Sequence, residues 1–435
     1  MFILNSIWYE DCPFESFESL CENIKTDVLI IGGGIAGILT SYFLKKCGVE
    51  CVLVEKDRIC GKTTGNTTAK ITFQHGLIYD KLKSSGGAEI AKGYLNANRS
   101  AFAEFEKLCE SIDCDFEYKD NYVYSVDDRK KIEKEMSALQ KIGYNAKLYN
   151  DVTLPIDIAG AVCFPHQAQF HPLKFLSHIA DGLNIYENTF VREIKDNTAI
   201  TDFGKIKAEK IIVATHFPFI NKHGSYYLKL YQHRSYVVAL ENAQNINGMY
   251  VDENRKGFSF RNYKNLLILG GGGHRTGHKG GNWNALYEFA KEKYPLSSIK
   301  YHWAAQDCMS LDSMPYIGHY SSRTEDLYTA SGFNKWGMTG SMLSAMLLSD
   351  VVMGKKNKYE ELFSPSRSIM KPQLLVNGFE AAKNLLTPFG KRCPHLGCAL
   401  KWNSTEHSWD CACHGSRFSA DGKVLENPAN GDMTK

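Results

Sequence analysis

Four residues near the C-terminus have the types and spacing of a metal site. They form two short boxes, Cys393-x-His395 and Cys411-x-x-His414, with 15 residues between the boxes. Each box also holds one further cysteine. Two thiolates and two imidazoles can bind a structural zinc ion tetrahedrally. The spacing therefore predicts a metal centre at this end of the chain, with zinc as one candidate metal.

A second group of residues, near the N-terminus, has the spacing of a dinucleotide-binding turn. The stretch from Thr26 to Lys56 reads TDVLIIGGGIAGILTSYFLKKCGVECVLVEK. Its glycines follow the pattern Gly32-x-Gly34-x-x-Gly37. This spacing permits a tight turn, a close approach of the backbone to a pyrophosphate, and close packing of the following helix. The N-terminus of that helix would offer unpaired N–H groups to the phosphates.

The elements around the turn strengthen this prediction. Val28–Ile31 is a continuous apolar run, as expected of a buried parallel strand. Cys51–Val54 reads as a second strand, and Glu55 stands at its carboxyl end, where a carboxylate can bind ribose hydroxyls. Strand, glycines, helix, strand and acid in one short unit predict a nucleotide site. The alternative is a βαβ unit that binds no nucleotide.

The loop after Glu55 reads KDRICGKTTGNTTAKITFQHG and is rich in Gly and Thr. Such a loop can wrap a cofactor with backbone N–H groups and hydroxyls. A plain polar loop is the alternative interpretation.

The middle of the chain alternates between helical and strand patterns. Residues 79–140 are mainly helical, with apolar residues three and four apart, interrupted by the alternating stretch Phe116–Val126. A later helix opens near His171-Pro172, where proline is favourable at the first position. We expect His171 to cap or support this helix, although it could instead face the substrate.

Further strand patterns cover Thr189–Asp196, Lys207–Thr215, Leu228–Leu240 and Phe258–Leu269. The loop that follows, GGGGHRTGHKGG, lacks the Lys-Ser/Thr ending of a phosphate loop. His274 and His278 could share a metal only on a helix, and the glycines disfavour a helix there. We expect a mobile loop near the mouth of the active site.

Composition places few limits on function. The 435 residues are 43% hydrophobic and 23% charged, with a net charge of +3, which does not indicate a nucleic-acid or membrane partner. No basic region followed by an apolar stretch opens the chain, and no apolar run reaches about 18 residues. We expect a cytoplasmic protein of two or three domains without a membrane span.

The N-terminal motifs resemble those of the D-amino-acid oxidase and glycine oxidase superfamily. The resemblance rests on the glycine turn, on Glu55-Lys56-Asp57-Arg58 with Gly61 and Thr63-Thr64, on Ala214-Thr215, and on the turn in SGFNKWGMTG. It implies FAD as cofactor and an FAD site complete by Thr339. The residues it places at FAD are Gly32, Gly34, Ile35, Ala36, Gly37, Glu55, Lys56, Thr63, Thr64, Thr67, Thr68, Lys70, Val191, Ala214, Thr215, Gly332, Lys335, Gly337, Met338 and Thr339.

The same resemblance implies an α/β fold. A Rossmann-like FAD-binding domain would use residues 1–80, 155–215 and 302–387, and a mixed α+β substrate domain, interleaved with it, would use residues 81–154 and 216–301. Residues 388–435 would form a separate small all-β lobe.

The C-terminal boxes, CPHLGC and CACHGSRF, resemble the Rieske [2Fe–2S] fold. In that family the first cysteine and the histidine of each box bind the cluster. The resemblance therefore implies that Cys393, His395, Cys411 and His414 are the ligands of a [2Fe–2S] cluster. It also implies a disulfide between the two remaining cysteines, Cys398 and Cys413.

Two departures from the Rieske pattern lead to further expectations. The strands that usually precede the first box are missing. A lobe this small can hardly bury enough surface alone, so it must rely on the flavoprotein for its core. Ser416 is in place to donate a hydrogen bond to a cluster sulfur, but Phe418 stands where high-potential members have a tyrosine. Losing that donor should lower the reduction potential.

Together the resemblances imply an FAD-dependent oxidoreductase that oxidises a C–N bond of a small amine or amino acid. Hydride would pass to flavin N5, and electrons would pass through the cluster to an external acceptor at an exposed histidine side. The alternatives are a simple oxidase with a structural lobe and an electron-transfer or redox-sensing module. Arg234, Arg261 and Arg275 are candidates for binding a substrate carboxylate, and no catalytic acid or base is assigned.

Overall fold

The structure is a computed structural model that describes residues 6–10, 12, 14–254 and 256–433. Within these residues the strands form three sheets, of eight, nine and four strands. The predicted fold class is confirmed: a Rossmann-like domain, an interleaved mixed domain and a small all-β lobe.

The first sheet belongs to the dinucleotide-binding domain. Its strands are β1 (Ile24–Ile31), β2 (Cys51–Val54), β7 (Ile185–Tyr186), β8 (Val191–Lys195), β9 (Thr198–Thr201), β10 (Lys205–Val213), β16 (Tyr316–His319) and β17 (Leu327–Ser331). β1 lies in the middle and pairs in parallel with β2 and β10, and β10 pairs in parallel with β17. All four residues of β2 are buried, as expected of a strand covered on both faces.

The second sheet forms most of the substrate domain. Its strands are β3 (Lys70–Ile71), β4 (Glu117–Ser125), β5 (Lys147–Tyr149), β6 (Gly160–Gln169), β11 (Leu230–Glu241), β12 (Met249–Asp252), β13 (Ser259–Tyr263), β14 (Leu266–Arg275) and β15 (Ser298–Ser310). The predicted boundaries assign β3, β6 and residues 302–310 of β15 to the FAD-binding domain. In the structure the backbone of these strands pairs within the second sheet.

Helices cover the first sheet and flank the second. The helices are α1 (Ile35–Lys46), α2 (Ile78–Gly86), α3 (Ala88–Cys109), α4 (Arg129–Lys141), α5 (Pro172–Ala180), α6 (Tyr226–Lys229), α7 (Asn282–Lys293), α8 (Gly337–Val352), α9 (Glu360–Phe363) and α10 (Pro372–Leu385). α8 packs against both α1 and α3, and the largest apolar core of the described chain lies among them. No helix that the structure describes is both long and apolar enough to cross a bilayer.

Several local predictions can be compared with the structure. His171 is the N-cap of α5, and its Nδ1 accepts a hydrogen bond from the Lys174 N–H at 3.1 Å, so the capping role is confirmed. The strand expected over Phe258–Leu269 is two strands, because Lys264 turns the chain with φ +52°. The glycines after Leu269 belong to β14, so the expected loop is wrong over Gly270–Arg275.

Packing explains why a strand tolerates four glycines. A Cβ on Gly271 would lie 2.5 Å from the Phe258 ring, and one on Gly273 would lie 2.8 Å from the His233 ring. Neighbouring side chains therefore occupy the space that side chains of β14 would need. His274 and His278 have separate partners, since His274 Nε2 lies 3.1 Å from the Tyr236 hydroxyl and His278 Nε2 lies 3.1 Å from Glu380 Oε2.

The third sheet is the C-terminal lobe. Its antiparallel strands are β18 (Leu400–Asn403), β19 (Ser408–Cys411), β20 (Arg417–Ser419) and β21 (Val424–Glu426). Its small core consists largely of the cluster-box cysteines with Leu400, Phe418 and Ala429. This is the limited core expected of a lobe that relies on the flavoprotein.

Candidate active site and metal centre

The glycine-rich turn joins β1 to α1 in the geometry that the spacing predicts. Gly32 has φ +115°, and a Cβ there would lie 2.6 Å from the Ala214 carbonyl oxygen. A Cβ on Gly37 would lie 2.0 Å from the carbonyl oxygen of Gly32. Both positions therefore require glycine, and together they bring the N-terminus of α1 onto the turn.

Two side chains from the next segment hold this turn in place. The Gly33 N–H donates to Glu55 Oε2 at 2.8 Å, and the Ile35 N–H donates to Thr64 Oγ1 at 3.1 Å. Burial raises the pKa of the Glu55 carboxyl, while its hydrogen bonds from Asp57 and Gly33 oppose that rise. Glu55 and Thr64 thus organise the turn as well as facing the space beside it.

The turn, the Thr-rich loop and the strand ends surround one cavity of about 510 Å³. Most of the predicted FAD residues line this cavity: Gly32, Gly34, Ile35, Ala36, Glu55, Lys56, Thr63, Thr64, Thr67, Thr68, Lys70, Val191, Ala214, Thr215, Lys335, Gly337 and Met338. Gly37, Gly332 and Thr339 do not line it. Thr339 lies behind the wall and donates to the Thr72 carbonyl oxygen at 2.9 Å. α8 begins at Gly337, so its N-terminus points at the cavity.

The C-terminal lobe closes part of the same cavity. Residues of the segment Leu425–Asn430 line it. The Asn427 side-chain amide donates to the carbonyl oxygens of Phe217, at 2.7 Å, and Thr215. Lys56 Nζ donates to the Leu425 carbonyl oxygen at 3.4 Å. The expectation that the FAD site is complete by Thr339 is therefore wrong for this cavity, because these side-chain hydrogen bonds hold a segment distant in the chain in its wall.

His75 is a cavity residue that the sequence reasoning did not single out. Its ring stacks on Trp336, with centroids 5.0 Å apart and planes at 17°. Its Nδ1 lies 2.6 Å from the Tyr94 hydroxyl, and its Nε2 lies 2.9 Å from Thr339 Oγ1. Burial lowers the pKa of His75 to about 3, so the imidazole is neutral at physiological pH. The only sequence signal was its position near the end of the Gly- and Thr-rich loop.

Lys70 is a buried amine in the cavity wall. Its Nζ lies 3.3 Å from Thr68 Oγ1, and the residue is 8% exposed. Burial, and to a lesser degree the nearby Arg261 guanidinium, lower the pKa of Lys70 to about 7. A lysine in this environment exchanges a proton near neutral pH.

The three arginines proposed for a substrate carboxylate have other partners, and none of them lines the cavity. Arg261 Nη1 donates to the carbonyl oxygens of Thr68 and Ala69 at 2.8 and 2.7 Å. Arg234 forms an ion pair with Glu406 of the lobe. Arg275 donates to backbone carbonyls of the lobe. In the structure the guanidinium groups of Arg234 and Arg275 contact the lobe, and that of Arg261 contacts the loop at Thr68 and Ala69.

A lysine and a carboxylate line the cavity instead. Lys335 is exposed at the cavity and adopts φ +74°. Asp307 also lines it, where burial raises the pKa of its carboxyl and the charges of Lys335 and His216 oppose that rise. A cation and an acid on one wall can bind a zwitterionic or amine-bearing ligand.

The four predicted metal ligands come together at the tip of the lobe. The thiols of Cys393 and Cys411 are within hydrogen-bonding reach of each other, and the rings of His395 and His414 have centroids 5.0 Å apart. The Nδ1 atoms of both histidines are buried without a hydrogen-bonding partner in the part of the chain that the structure describes. A buried nitrogen in that state is costly, and a metal bond would satisfy it. These residues fit a centre with two thiolate and two imidazole ligands.

The surroundings of this centre follow the Rieske resemblance. Cys398 and Cys413 form the expected disulfide. Ser416 hydrogen-bonds the Cys393 thiol, as expected of a donor to a ligand sulfur. Phe418 is fully buried in the small core that contains Cys393 and Cys411.

The histidine tip of the lobe faces the flavin-binding domain. Phe217 lies with its ring centroid 6.4 Å from that of His395 and 6.2 Å from that of His414. His414 is 4% exposed, and His395 Nε2 lies 2.9 Å from Asn221 Oδ1. The expected exposed histidine side is wrong for His414, because the loop after β10 covers it.

Polar contacts fix the lobe in this orientation. Gln232 Nε2 donates to the His414 carbonyl oxygen at 3.0 Å, and Gln306 Nε2 donates to the Gly415 carbonyl oxygen at 2.9 Å. Arg275 donates to the carbonyl oxygens of Ala412 and Cys413 at 3.0 Å each. The second cluster box is therefore held through its backbone by strands of the substrate sheet.

Comparison with known proteins separates the chain into two matched regions. Residues 27–351 match the family DAO, FAD dependent oxidoreductase, and residues 363–435 match the Rieske [2Fe-2S] domain. The Bacillus subtilis (strain 168) protein YhfW, named as a Rieske 2Fe-2S iron-sulfur protein, is 34% identical over 485 aligned positions, covering 97% of this chain and 95% of YhfW. The cytochrome b6-f complex iron-sulfur subunit of Prochlorococcus marinus (strain MIT 9211) is 47% identical over 58 residues, 13% of this chain and 30% of that subunit.

Solved structures share the fold of the larger region. Glycine oxidase from Geobacillus kaustophilus aligns with a TM-score of 0.68 at 19% identity, covering 79% of this chain and 99% of the oxidase. L-Proline dehydrogenase from P. horikoshii aligns with a TM-score of 0.66 at 19% identity, covering 79% and 98%.

Proposed function

The chain belongs to the DAO family of FAD-dependent oxidoreductases and carries a C-terminal Rieske [2Fe–2S] domain, and from these two facts we propose its reaction. It oxidises the C–N bond of a small amine or amino acid at FAD. The electrons leave through the [2Fe–2S] cluster to an external acceptor. FAD supplies hydride acceptance and the cluster supplies one-electron transfer.

One observation carries this proposal: a single short segment joins the two cofactor sites. Thr215 and His216 line the FAD cavity, and the next residue, Phe217, lies against the rings of both cluster histidines. Asn427 of the lobe holds the same segment through the Thr215 and Phe217 carbonyl oxygens. A lobe with only a packing role would not need its ligand histidines at this point of contact.

The residues of the cavity support an amine substrate. Lys335 offers a charge for a carboxylate, while Asp307 offers one for an amine. Three of the proteins of similar fold are named for glycine, L-proline and L-amino acids. Lys70, with its pKa near 7, can hold or release a proton at the cavity wall.

Anaerobic reduction of the purified protein by a panel of small amines and amino acids tests the proposal. The expected result is bleaching of the flavin and of the cluster by the same compound. Bleaching of the flavin alone, followed by rapid reoxidation in air, would identify a simple oxidase. Bleaching of neither by any compound, with the flavin still reducible by dithionite, would favour an electron-transfer module.

The Cys411→Ser variant separates the electron path from the oxidation step. Without the cluster, its flavin should still be reduced by the substrate in one half-reaction, because the FAD cavity does not include Cys411. Turnover with an artificial one-electron acceptor should become slow. Wild-type turnover by the variant in stopped-flow measurements would place the cluster outside the electron path.

A structural role for the lobe is the second candidate function. The observation that favours it is that Leu425–Asn430 lines the FAD cavity whether or not electrons pass through the lobe. In that case Cys411→Ser would keep both FAD and full turnover, whereas Asn427→Ala would weaken FAD binding.

A further inference from the structure

Helix α10 presents its apolar side chains to solvent and its polar side chains to the protein. Phe379 is 68% exposed and Leu375 is 78% exposed. On the opposite side, Asn377, Glu380 and Asn384 are 5%, 9% and 2% exposed. A surface helix of a free-standing globular protein has the reverse arrangement.

Polar contacts hold the helix in this orientation. Asn377 Oδ1 accepts a hydrogen bond from Arg275 Nη1 at 3.0 Å, and Asn377 Nδ2 donates to the Leu228 carbonyl oxygen at 3.2 Å. Glu380 Oε2 pairs with His278 Nε2 at 3.1 Å. Rotating α10 to bury its apolar side would break these bonds and leave Arg275, which supports the second cluster box, without this partner.

The exposed apolar surface continues beyond the helix. Leu386 is 81% exposed and Phe389 is 85% exposed, and both follow α10 directly. Leu396, in the first cluster box next to His395, is 40% exposed. We call residues 375–389 on this side the outward face of α10. So many exposed large apolar side chains within one short stretch are typical of an interaction site in a folded protein.

The charged side chains that residues 370–396 leave exposed are all positive. Lys371, Lys383, Lys391 and Arg392 lie within or beside it, and the acid of residues 370–396, Glu380, is turned inward. Apolar side chains with a basic border are the pattern of a helix that lies in the interface of an anionic membrane. Each basic residue near such a membrane adds electrostatic attraction to the anionic lipids, and each apolar side chain that enters the membrane adds buried apolar area.

We propose that the outward face of α10 docks on the surface of an anionic lipid bilayer, with the helix axis in the membrane plane. A second copy of this chain fits less well, because a two-fold interface through this face would bring both sets of basic residues together. The docking holds the cluster lobe at the membrane surface, since α10 contacts the lobe through Asn384 and Ala399. This inference does not depend on the identity of the substrate.

Flotation of the full-length holoprotein with vesicles tests the proposal. One set of vesicles contains phosphatidylcholine alone, and the other contains phosphatidylcholine with phosphatidylglycerol. We expect flotation with the anionic vesicles and a decrease as NaCl is raised. Phe379→Ser should weaken partitioning roughly tenfold, because it removes one buried aromatic side chain from the bilayer. Lys383→Glu should weaken it as well.

The chain offers matched controls for both variants. Phe203 is also 68% exposed but lies outside α10, in the turn between β9 and β10. Lys130 is an exposed residue of α4. Phe203→Ser and Lys130→Glu should both leave flotation unchanged. Flavin absorbance and the cluster EPR signal confirm that every variant is folded and loaded.

Three results would overturn the proposal. One is the absence of wild-type flotation with either vesicle, which would leave an acidic protein partner as the occupant. Another is an equal loss of flotation in Phe203→Ser and Phe379→Ser. The third is a dimer in sedimentation velocity without lipid that Phe379→Ser converts to a monomer, because the face would then be an interface between copies.

Discussion

At the scale of single residues, burial sets the ionisation of the groups in the FAD cavity. His75 is held neutral, and the pKa of Lys70 is lowered to about 7, in both cases first because water is excluded. The two side chains lie in the wall of one cavity, where Asp307 and Lys335 carry opposite charges. A small change at any of them should alter proton binding before it alters the fold.

Lys70→Met should change how stability depends on pH. Between pH about 7 and about 10.4 the folded chain binds fewer protons at Lys70 than the unfolded chain does, so the free energy of unfolding rises with pH there. The rise is at most about 1.4 kcal/mol per pH unit. Denaturation of FAD-free protein at several pH values measures this. Across this pH range the free energy of unfolding of the wild type should rise relative to that of Lys70→Met. Parallel pH profiles would mean that Lys70 keeps its ordinary pKa.

Phe418→Tyr should raise the reduction potential of the cluster. The ring is fully buried beside Cys393 and Cys411, so a hydroxyl there can donate to a ligand sulfur and stabilise the more negative reduced state. Redox titration followed by EPR measures the change. An unchanged or lower potential would show that residue 418 does not face a ligand sulfur. Phe418→Leu serves as the control, since it adds no donor.

At the scale of elements, the FAD cavity depends on how closely α1 and the glycine turn approach each other. Backbone touches backbone there, so neither side can move without displacing β1 or β10. The N-termini of α1 and α8 both reach the cavity. Two helix dipoles therefore act on a cofactor that carries negative charge.

Gly37→Ala should abolish FAD binding. Its Cβ would lie 2.0 Å from the Gly32 carbonyl oxygen, and relieving that overlap should cost on the order of 1–3 kcal/mol while displacing the turn. FAD content after gel filtration, with thermal unfolding, measures both effects. Gly378→Ala is the matched control within α10, where a Cβ meets nothing within 4 Å, and it should stabilise by roughly 0.5–1 kcal/mol. Normal FAD content in Gly37→Ala would contradict the close-packing argument.

At the scale of the whole molecule, the lobe is part of the flavoprotein. A buried ionic network joins them, in which Glu406 pairs with Arg234 of β11 and with Arg417 of the lobe. Burial would raise the pKa of Glu406, but the two guanidinium groups overcome this effect and hold it at about 2. The interface is thus built on a carboxylate that must remain ionised.

Acid should undock the lobe before it unfolds the sheets. The stability from Glu406 is fully present above its unfolded pKa of about 4.3 and is lost as pH falls toward about 2. Limited proteolysis at a series of decreasing pH values measures this. Cleavage within residues 386–390 should become faster as the Glu406 carboxylate is protonated. Arg234→Met should undock the lobe even at neutral pH, because removing one partner of a buried pair costs about 3–5 kcal/mol.

The exposed pair of Arg129 and Glu133 provides the control for this experiment. Its side chains are 36% and 58% exposed, so Glu133→Gln should change stability by less than about 1 kcal/mol. Equal protease sensitivity of Arg234→Met and Glu133→Gln would show that the ionic network does not hold the lobe.

The sequence alone determined both cofactor families of this protein. Gly32-x-Gly34-x-x-Gly37 and the two Cys–His boxes are local patterns, in which backbone geometry and ligand chemistry restrict the residue types over a few positions. Such restrictions are readable without knowing what lies nearby in space. For the same reason the capping role of His171 was predictable, since its partner is three residues away.

Only the tertiary structure decided how these local units meet. Three features depend on contacts between segments distant in the chain. They are the closing of the FAD cavity by Leu425–Asn430, the burial of His414, and the contacts of Arg234, Arg261 and Arg275 with loops and interfaces. The sequence around an arginine does not show whether its partner is a substrate or a backbone carbonyl. The polarity of α10 was likewise settled by what it packs against, because periodicity gives two faces but does not say which one is inside.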